Sequence, residues 1–391
     1  MANDEAADSL VTLSVVIPCY NEERTLAACV QKVLEIHDTF LTVEVIIVDD
    51  CSTDASLIVA DRLRCEDPRI HVVHHARNRG KGAALRTGIA EATGRFIAVQ
   101  DADLEYSPSD LKRLIVPLLE DDADVVFGSR FLSSGAHRVL YFWHSLGNKF
   151  LTFLSNMLTD LNLTDMETGY KVFRRDVIQS IDIQENRFGF EPEIVAKVAQ
   201  RRLRVYEMGI SYRGRTYAEG KKIGLKDAWR ALYCVLKYNL HKAPWPVQFG
   251  FYLFIGGVSA IINLLIFLLL LRSQLRVELA APAAFLTAAA VNYCLSVAIL
   301  FRHRARWSSA GELALFFVLV SAIGAIDLFF TRTLLIHGLQ PWLAKSTATG
   351  FGLILNFWAR RFVVFREAPS PQWKDQQSES QQTGAAYRVG R

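Results

Sequence analysis

The stretch FIAVQDADLEYSP, residues 96–108, runs from an apolar segment directly into three acidic residues spaced two apart, Asp101, Asp103 and Glu105. If the chain stays extended beyond Val99, side chains two residues apart lie on one face, so the three carboxylates converge. Like charges at that spacing repel unless a cation lies between them, and oxygen ligands suit Mg²⁺ or Mn²⁺. The spacing predicts a metal site that can hold a diphosphate, and a solvated strand end is the alternative.

Apolar strands alternate with amphipathic helices along the first third of the chain. The runs LSVVIP, VEVIIVDD, IHVVHH, RFIAVQDAD and DVVFGSR are separated by segments with apolar residues at helical spacing. Continuously apolar strands of this kind predict a mostly parallel, Rossmann-like α/β sheet with helices on both faces. Ligands of such sheets bind beyond the carboxyl ends of the strands. The polar tails at 18–22, 49–50, 101–105 and 128–130 all fall at that edge.

The composition divides the 391 residues into two parts. Apolar and charged residues alternate up to about residue 240, whereas 249–365 carries long uncharged runs. The net charge of +4 indicates no nucleic-acid partner. The six cysteines form no CxxC pair and no His/Cys cluster at metal spacing, which is typical of reduced thiols in the cytoplasm. The first ten residues are acidic and polar, unlike a signal peptide, so we expect the amino-terminal domain in the cytoplasm.

A set of motifs occurs in a fixed order: SVVIPCYNEE, IIVDDCSTD, RNRGKGAAL, QDADLEYSP, VFGSR and METGYKVFRR. Together they resemble the family 2 glycosyltransferases of the GT-A fold over about residues 13–240. FGFEPEIVAKVA and YRGRTYAEGKKIGLKDAWRAL make the chain similar, more narrowly, to the polyprenyl-phosphate branch, which includes dolichol-phosphate mannose synthases and undecaprenyl-phosphate glucosyltransferases. The resemblance implies transfer of one sugar from a UDP- or GDP-linked donor to polyprenyl phosphate, with inversion and a divalent metal.

The resemblance also assigns roles to individual residues. Those that would hold the base and ribose are Pro18, Tyr20, Glu22 and Asp50. Those that would flank the metal and the diphosphate are Asp101, Asp103 and Glu105, although relatives of the mannose synthase often carry Gln in place of Glu105. In RGKG, backbone N–H groups and Lys81 near a helix start suit an anion, and an ordinary glycine-rich helix start is the alternative.

The acceptor decides which further side chains are needed. A lipid monophosphate is already largely a dianion at neutral pH, because its second ionisation lies near ~6, so it needs no general base but a cationic cradle. A metal would stabilise the departing diphosphate as a Lewis acid. Cations follow the motifs at Arg130, Lys171, Arg174, Arg175, Arg213, Arg215, Lys221 and Lys222. Arginine and lysine both suit phosphate, and each of these is singly also compatible with a solvated surface position.

Three further residues complete the predicted site. His144 and Asn148 lie four apart, on one face of a helix, and by resemblance they contact the acceptor phosphate with Arg130. The resemblance places Asp165 near the reacting centre with Asp101, Asp103, Arg130 and Lys171. Since the acceptor needs no base, we expect Asp165 to orient Lys171 or Arg130. A purely structural histidine is the alternative for His144.

Residues 138–158 and 225–240 are apolar and aromatic but too polar to span a membrane, and they predict interfacial helices near the bilayer headgroups. Core helices of the soluble domain are the alternative. Residues 1–12 and 367–391 are predicted to be a flexible amino terminus and a disordered tail.

Four apolar segments within 249–366 each approach the ~20 residues that a bilayer requires. VNYCLSVAILFR at 291–302 resembles LNFWARRFVVFR at 355–366, which indicates two related helical hairpins. The region resembles the GtrA family of four-helix membrane proteins. The arginines of RHRARW and ARRFVVFR predict that both chain ends face the cytoplasm, in a multi-pass protein of the cell membrane.

The favoured function is a membrane-bound transferase that glycosylates polyprenyl phosphate. One alternative is a glycosyltransferase with a hydroxyl acceptor, which would usually carry a QxxRW motif that this sequence lacks. The other is a non-catalytic translocator or scaffold for lipid-linked sugar, against which the intact Asp101, Asp103 and Arg130 argue. The motifs are compatible with glucose, mannose, galactose or amino sugars, and with a homo-oligomer.

Overall fold

The protein is described here by a computed structural model that covers residues 11–132, 139, 141–214, 225–296, 309–359 and 361. The chain divides between Lys242 and Ala243 into two compact units. The first unit contains a β-sheet with helices, and the described part of the second unit is helical.

The first unit is built on a mixed sheet of seven strands in the order β3-β2-β1-β4-β6-β5-β7. The strands are β1 Val11–Cys19, β2 Leu41–Asp49, β3 Ile70–His74, β4 Phe96–Val99, β5 Val125–Ser129, β6 Lys171–Arg174 and β7 Val205–Gly209. Within this sheet β6 runs antiparallel to both of its neighbours, and the other strand pairs are parallel. This agrees with a GT-A-like α/β fold in which most strands are parallel.

The position of β6 has a direct consequence for the site. Ala98 of β4 lies opposite Val172 of β6, so the amino end of β6 lies beside the carboxyl end of β4. The loop 165–170, which leads into β6, is therefore brought to the same edge of the sheet as Asp101.

Helices cover the sheet, whose central strands are buried on both faces. In the first unit the described helices are α1 Leu26–Leu34, α2 Ser56–Glu66, α3 Lys81–Glu91, α4 Leu111–Leu114, α5 Val116–Leu119, α6 Phe142–Thr159, α7 Arg175–Gln179, α8 Phe190–Gln200 and α9 Leu225–Asn239. Short 3₁₀ turns span Pro108–Asp110 and Leu240–Lys242. The PSDLKRLIVPLLE segment predicts one helix but forms a 3₁₀ turn and two short helices, because Pro117 lacks the N–H that a continuous helix needs.

Two expectations from the sequence need correction. Val11 and Thr12 belong to β1, not to a flexible terminus, because they pair with Leu41 and Thr42 of β2. The chain also does not stay extended beyond Val99: strand β4 ends there and the next residues form a series of bends. The alternation of faces on which three converging carboxylates depended therefore stops at the end of the strand.

The described part of the second unit contains four helices, α10 Trp245–Arg272, α11 Val277–Leu295, α12 Ser309–Ile336 and α13 Pro341–Ala359. One helix among the described residues, α10, is long and apolar enough to cross a membrane. Asn292 donates a hydrogen bond to the Ser259 hydroxyl at 3.1 Å, which joins α11 to α10. The rings of Tyr252 and Phe357 lie 5.6 Å apart. The predicted tail at 367–391 lies outside the described residues.

Candidate active site

The loops that follow β1 and β2 are tied to each other at the carboxyl edge of the sheet. The backbone N–H of Thr53 donates to Asn21 Oδ1 at 2.7 Å, and that of Glu22 donates to Ser56 Oγ at 2.8 Å. Pro18 lies within β1, and the Tyr20 side chain is exposed at the strand end. The predicted base-binding residues Pro18, Tyr20 and Glu22 thus lie on or beside one rigid pair of loops, and their contact with a nucleotide stays a prediction.

Asp50 organises the glycine-rich RNRGKG loop. Its carboxylate accepts hydrogen bonds from the backbone N–H of Arg79 at 2.9 Å and of Gly80 at 2.6 Å, and lies 2.7 Å from His75 Nδ1. Gly80 has a φ of +94°, which favours glycine because an added Cβ would be strained there. Asp50 therefore has a structural task in holding this loop, beside the predicted contact with the ribose.

Lys81, the first residue of α3, forms the centre of a partly buried charge cluster. Its Nζ atom lies 2.8 Å from Asp101 Oδ1 and 3.0 Å from Glu191 Oε1. Burial lowers the pKa of Lys81, but the two carboxylates outweigh burial and raise it. The anion contact predicted for Lys81 is thus provided, in this structure, by two side chains of the protein.

The three predicted metal ligands point to different partners. Asp101 is held by Lys81, and Glu105 Oε2 accepts a hydrogen bond from the Tyr212 hydroxyl at 2.9 Å. Asp103 Oδ1 accepts a bond from the backbone N–H of Glu105 at 3.3 Å. Across the described ranges, no group of three or more His, Cys, Asp or Glu side chains is arranged to hold a metal ion. Convergence of all three carboxylates is therefore not observed, because Lys81 supplies the cation that Asp101 requires.

Two carboxylates nevertheless fit a divalent ion that is shared with a substrate. Mg²⁺ is commonly held by one or two carboxylates together with phosphate oxygens, and needs no complete cage of protein ligands. Asp101 and Asp103 offer hard oxygen ligands on one loop at the ligand edge of the sheet. They are the residues of this chain that would hold Mg²⁺ or Mn²⁺.

Arg130, the residue after β5, is fixed by a network around Asp165. Its Nε and Nη2 atoms each donate to an Asp165 carboxylate oxygen at 2.7 Å, and its backbone N–H donates to the same side chain at 3.1 Å. Asn148 of α6 donates to Asp165 Oδ1 at 3.2 Å. Burial raises the pKa of the Asp165 carboxyl, but Arg130 outweighs burial and lowers it. Asp165 is therefore an ionised side chain that orients Arg130, and four hydrogen bonds occupy its oxygens.

Lys171, at the start of β6, is buried completely. Its ammonium donates to the carbonyl oxygens of Met166 at 3.2 Å and of Thr168, so it braces the loop 165–170 from within. Burial lowers the pKa of Lys171 to about 8, against the opposing effect of nearby carboxylates, Glu191 first. In this geometry the Lys171 ammonium does not reach a phosphate directly, and its catalytic role stays a prediction.

Several residues of the site were not identified from the sequence. Tyr106 stacks on Tyr170 with ring centroids 4.6 Å apart, and its hydroxyl accepts a bond from the Gly169 N–H at 3.1 Å. The Arg130 guanidinium lies 5.3 Å from the centroid of the Tyr212 ring. These tyrosines connect the Asp101–Glu105 loop to the arginine. The sequence carries no signal for this, because the segments EYSP, ETGY and SYRG meet only in the folded chain.

Glu167 is another residue that the sequence analysis missed. The residue is partly exposed, yet its Oε1 atom is buried and has no hydrogen-bond partner among the described residues. Burial, followed by the charge of Glu191, raises the pKa of Glu167 to about 7, although Lys171 acts in the opposite direction. A side chain in the ETGY loop thus changes its charge near neutral pH.

The predicted acceptor residues lie in three settings. Asn148 is buried against Arg130 and Asp165, with its Oδ1 atom 3.3 Å from Arg130 Nη2. His144 is half-buried one turn earlier on α6, and the exposed Arg213 donates its backbone N–H to the Glu105 carbonyl at 2.8 Å. Arg215 lies outside the described residues.

Helix α6 exposes its apolar side and buries its polar side. The exposed side chains, three or four residues apart, are Trp143, Leu146, Phe150, Phe153 and Met157. The buried ones include Asn148, Thr152 and Ser155. Thr152 Oγ1 accepts a bond from the Met166 N–H at 3.2 Å, so the polar side holds the site while 78% of Trp143 is exposed. A continuous exposed apolar face of this kind marks a surface that meets a partner or a membrane.

The sequence of the chain was compared with protein families and with known proteins. The model of glycosyl transferase family 2 matches residues 14–182, and that of the GtrA/DPMS transmembrane domain matches residues 251–365. Polyprenol monophosphomannose synthase of Mycolicibacterium smegmatis is 30% identical over 233 residues, which cover 58% of this chain and 86% of that protein. Undecaprenyl-phosphate mannosyltransferase of Micrococcus luteus is 29% identical over 219 residues, which cover 54% and 86%.

A solved structure is also similar. Glucosyl-3-phosphoglycerate synthase from Mycobacterium tuberculosis, in complex with Mn²⁺, uridine diphosphate and glucosyl-3-phosphoglycerate, aligns with a TM-score of 0.47 and 21% identity. The alignment covers 60% of this chain and 82% of that one.

Proposed function

The chain belongs to glycosyl transferase family 2 and carries a GtrA/DPMS transmembrane domain, and from this premise we propose that it transfers one sugar from a nucleotide sugar to polyprenyl phosphate. The chain is a glycosyltransferase with a membrane domain, and the identity of its acceptor as a lipid phosphate is our proposal. The names of two relatives support this acceptor. One is called a polyprenol monophosphomannose synthase, and the other an undecaprenyl-phosphate mannosyltransferase.

One observation carries the proposal: a single helix, α6, contacts Arg130 through its polar side and exposes an apolar side. Asn148 of α6 touches both Arg130 and Asp165. Trp143 and Phe153 are exposed on the opposite side. A lipid phosphate has the same two-sided character, with an anion attached to an apolar chain. The helix is thus suited to lie at the bilayer surface while Arg130 meets the phosphate.

The reaction we propose needs no general base at the acceptor. The phosphate is already largely ionised, since its second pKa lies near ~6, and it can attack the sugar carbon directly with inversion. Asp165 is accordingly occupied with Arg130 and does not remove a proton. Arginine suits this task because its planar guanidinium binds phosphate oxygens through two parallel hydrogen bonds.

The donor end of the site would use the loops after β1, β2, β3 and β4. Lys81 favours the diphosphate, because a lysine ammonium suits phosphate oxygens. We propose that Asp101 and Asp103 hold Mg²⁺ or Mn²⁺ together with that diphosphate. When bound, such an ion supplies Lewis-acid stabilisation of the charge on the leaving diphosphate. Lys81 would then exchange part of its contact with Asp101 for the donor.

We further propose that the GtrA-like domain, residues 249–366, spans the membrane with four helices. Helices α10, α11, α12 and α13 supply the four candidate spans, of which α10 alone meets the length and hydropathy criteria within the described residues. The arginines near the ends of the second and fourth segments favour a cytoplasmic position for both chain ends. Nucleotide sugars would reach the site from that side.

Transfer assays on membranes that contain the full-length chain test the proposal. Radiolabelled UDP-glucose, UDP-galactose, UDP-N-acetylglucosamine and GDP-mannose are each incubated with a short polyprenyl phosphate, with and without EDTA. We expect label in the lipid with one donor, lost with EDTA and in Asp103→Ala, but retained in Asp124→Asn, whose carboxylate lies at the opposite end of β5.

Other outcomes would contradict the proposal in distinct ways. Label in a hydroxyl-linked glycan would identify a different acceptor, and binding of donor without transfer would favour a scaffold. Full transfer to the lipid in EDTA would remove the metal from the mechanism and leave the acceptor assignment intact.

A further inference from the structure

The glycine-rich loop before α3 packs against the backbone of residues 185–187 without spare room. A Cβ atom added to Gly80 would lie 2.3 Å from the carbonyl oxygen of Asn186, and one added to Gly82 would lie 2.3 Å from that of Glu185. The backbone N–H of Ala83 donates to the Asn186 carbonyl at 3.2 Å. Because nothing fits between the two segments, the position of 185–187 fixes the position of Lys81.

The segment 185–187 is held in turn by side chains of α8 and α3. Glu193 of α8 accepts hydrogen bonds from the backbone N–H of Gln184 at 2.7 Å and of Glu185 at 2.8 Å. Arg86 of α3 donates to the carbonyl of Ile183 at 2.7 Å, which joins the segment to α3 a second time. The backbone is therefore fixed on the side of α8 and on the side of the glycine-rich loop.

The Glu185 side chain connects this segment to helix α9. Its carboxylate accepts bonds from Lys237 Nζ at 2.7 Å, from the Tyr238 hydroxyl at 2.9 Å and from Arg230. The Glu185 side chain is only 2% exposed. Burial raises its pKa, but the hydrogen bonds from Lys237, Arg230 and Tyr238 outweigh burial and lower it to about 2. All three donors lie on α9.

Helix α9 also carries exposed aromatic side chains. Ala231, Cys234 and Tyr238 are buried against the first unit, while Trp229 and Tyr233 are exposed on the other side, Trp229 at 70%. The same helix thus presents aromatic side chains outward and holds Glu185 inward. Trp and Tyr are the side chains that favour the boundary between water and lipid.

We propose that Glu185 is a positioning residue for the nucleotide site: by anchoring segment 185–187 to α9, it holds the RGKG loop and Lys81 where the donor diphosphate binds. The inference rests on the proposed nucleotide-sugar donor. It adds that Glu185 connects the donor site to helix α9. Glu185 touches neither substrate in this assignment and acts through the backbone of 185–187. Its loss lets the segment shift, and the lysine shifts with it.

The test measures donor affinity separately from turnover in the full-length protein in detergent. Glu185→Gln keeps the size of the side chain and removes its charge. We expect the Kd for UDP or GDP with Mn²⁺, and the KM of the nucleotide sugar, to rise about 10-fold, as is typical for loss of a residue that supports a binding group. The kcat and the KM for polyprenyl phosphate should change less than 2-fold.

Asp124→Asn is the matched control. Asp124 is also a buried carboxylate with two cationic partners, Arg204 at 2.7 Å and Arg174 at 3.7 Å, but it precedes β5 and lies at the edge of the sheet away from the site. Both substitutions should lower Tm. Only Glu185→Gln should weaken nucleotide binding, which a merely structural role would leave unchanged.

Substitutions on the helix test the link to α9. Arg230→Gln with Lys237→Gln should weaken nucleotide binding as Glu185→Gln does, and the triple variant should be no weaker than either, because all act through one contact. Equal nucleotide affinity in wild type and Glu185→Gln, or additive effects in the triple variant, would overturn the inference. If the wild type bound neither UDP nor GDP, the proposed donor itself would fail, which is a separate result.

Discussion

Asp165 shows how a single side chain of the site can be assigned from its contacts. A carboxylate near a reacting centre suggests a general base, but each oxygen of Asp165 already accepts two hydrogen bonds from Arg130 or Asn148. Its side chain is fully buried and that of Arg130 is 9% exposed. A buried pair of this kind contributes through the orientation of the cation, since neither partner tolerates the loss of the other.

Asp165→Asn should therefore damage stability as well as activity. Removal of one partner of a buried ion pair leaves the other charge uncompensated and costs about 3–5 kcal/mol. We expect a clear drop in Tm in detergent and a fall in kcat/KM of at least ~100-fold, with most of the loss in the KM for the lipid phosphate. A general base would behave differently: the variant would keep its Tm and its lipid KM and lose kcat alone.

Glu167 gives a pH-dependent prediction. Its pKa is about 7 in the folded protein against a usual value of 4.5, so between these values the folded state retains a proton that the unfolded state has lost. The folded protein therefore loses stability as the pH rises from about 4.5 to about 7, and the loss stays constant above that. Glu167→Gln imitates the protonated form. It should raise Tm at pH 8 and leave it unchanged at pH 5 and below, whereas an equal shift at both pH values would contradict the assignment.

At the scale of the elements, the sequence predicted the strands better than their pairing. The apolar runs of β1, β2 and β4 and the polar residues at their carboxyl ends identified the ligand edge. Nothing in KVFR indicated that β6 would enter the sheet antiparallel between β4 and β5, because a strand of four residues carries no information about direction. That insertion is what brings the ETGY loop to Asp101.

The site itself was predicted as a set of residues and not as a set of contacts. The motifs named Lys81, Asp101, Arg130 and Asp165, but Glu191, the partner of Lys81, and Tyr212, the partner of Arg130, come from segments about 80 to 110 residues away in the chain. Long-range pairs of this kind depend on the packing of α8 and of the loop after β7. A single sequence gives no signal for them.

The exposed face of α6 can be tested on lipid affinity. Trp143→Ser and Phe153→Ser remove side chains that are 78% and 65% exposed, so Tm should stay within about 1–2 °C of wild type. The KM for polyprenyl phosphate should rise several-fold per substitution and the KM for the nucleotide sugar should not change. A large fall in Tm would show instead that these side chains are buried in a protein contact.

For the whole molecule, the sequence separated a sheet domain from a helical domain because water and lipid select different amino-acid compositions. Charged residues are scattered through the first 240 positions, and α10 contains none between Trp245 and Leu271. The structure divides into two compact units between Lys242 and Ala243. The number of membrane spans is less directly encoded, since α11 and α13 contain many alanine, glycine or polar residues.

The orientation of the molecule can be tested with its own cysteines. Cys65 is exposed in the first unit, whereas Cys19, Cys29 and Cys234 are buried, and burial raises the pKa of each of these three thiols to about 12. Only ionised, accessible thiols react readily with a maleimide. With Cys51 and Cys294 changed to serine, labelling by a membrane-impermeant maleimide should therefore report on Cys65 alone.

We expect Cys65 to be labelled in inside-out vesicles and protected in intact cells, because a site that uses nucleotide sugars must face the cytoplasm where they are available. The Cys65→Ser variant in the same background controls for residual labelling of the buried thiols. Labelling of Cys65 from the outside of intact cells would place the sheet domain on the other side of the membrane. The donor would then have to be something other than a cytoplasmic nucleotide sugar, and the arginines that flank the helical hairpins would have been a misleading guide to topology.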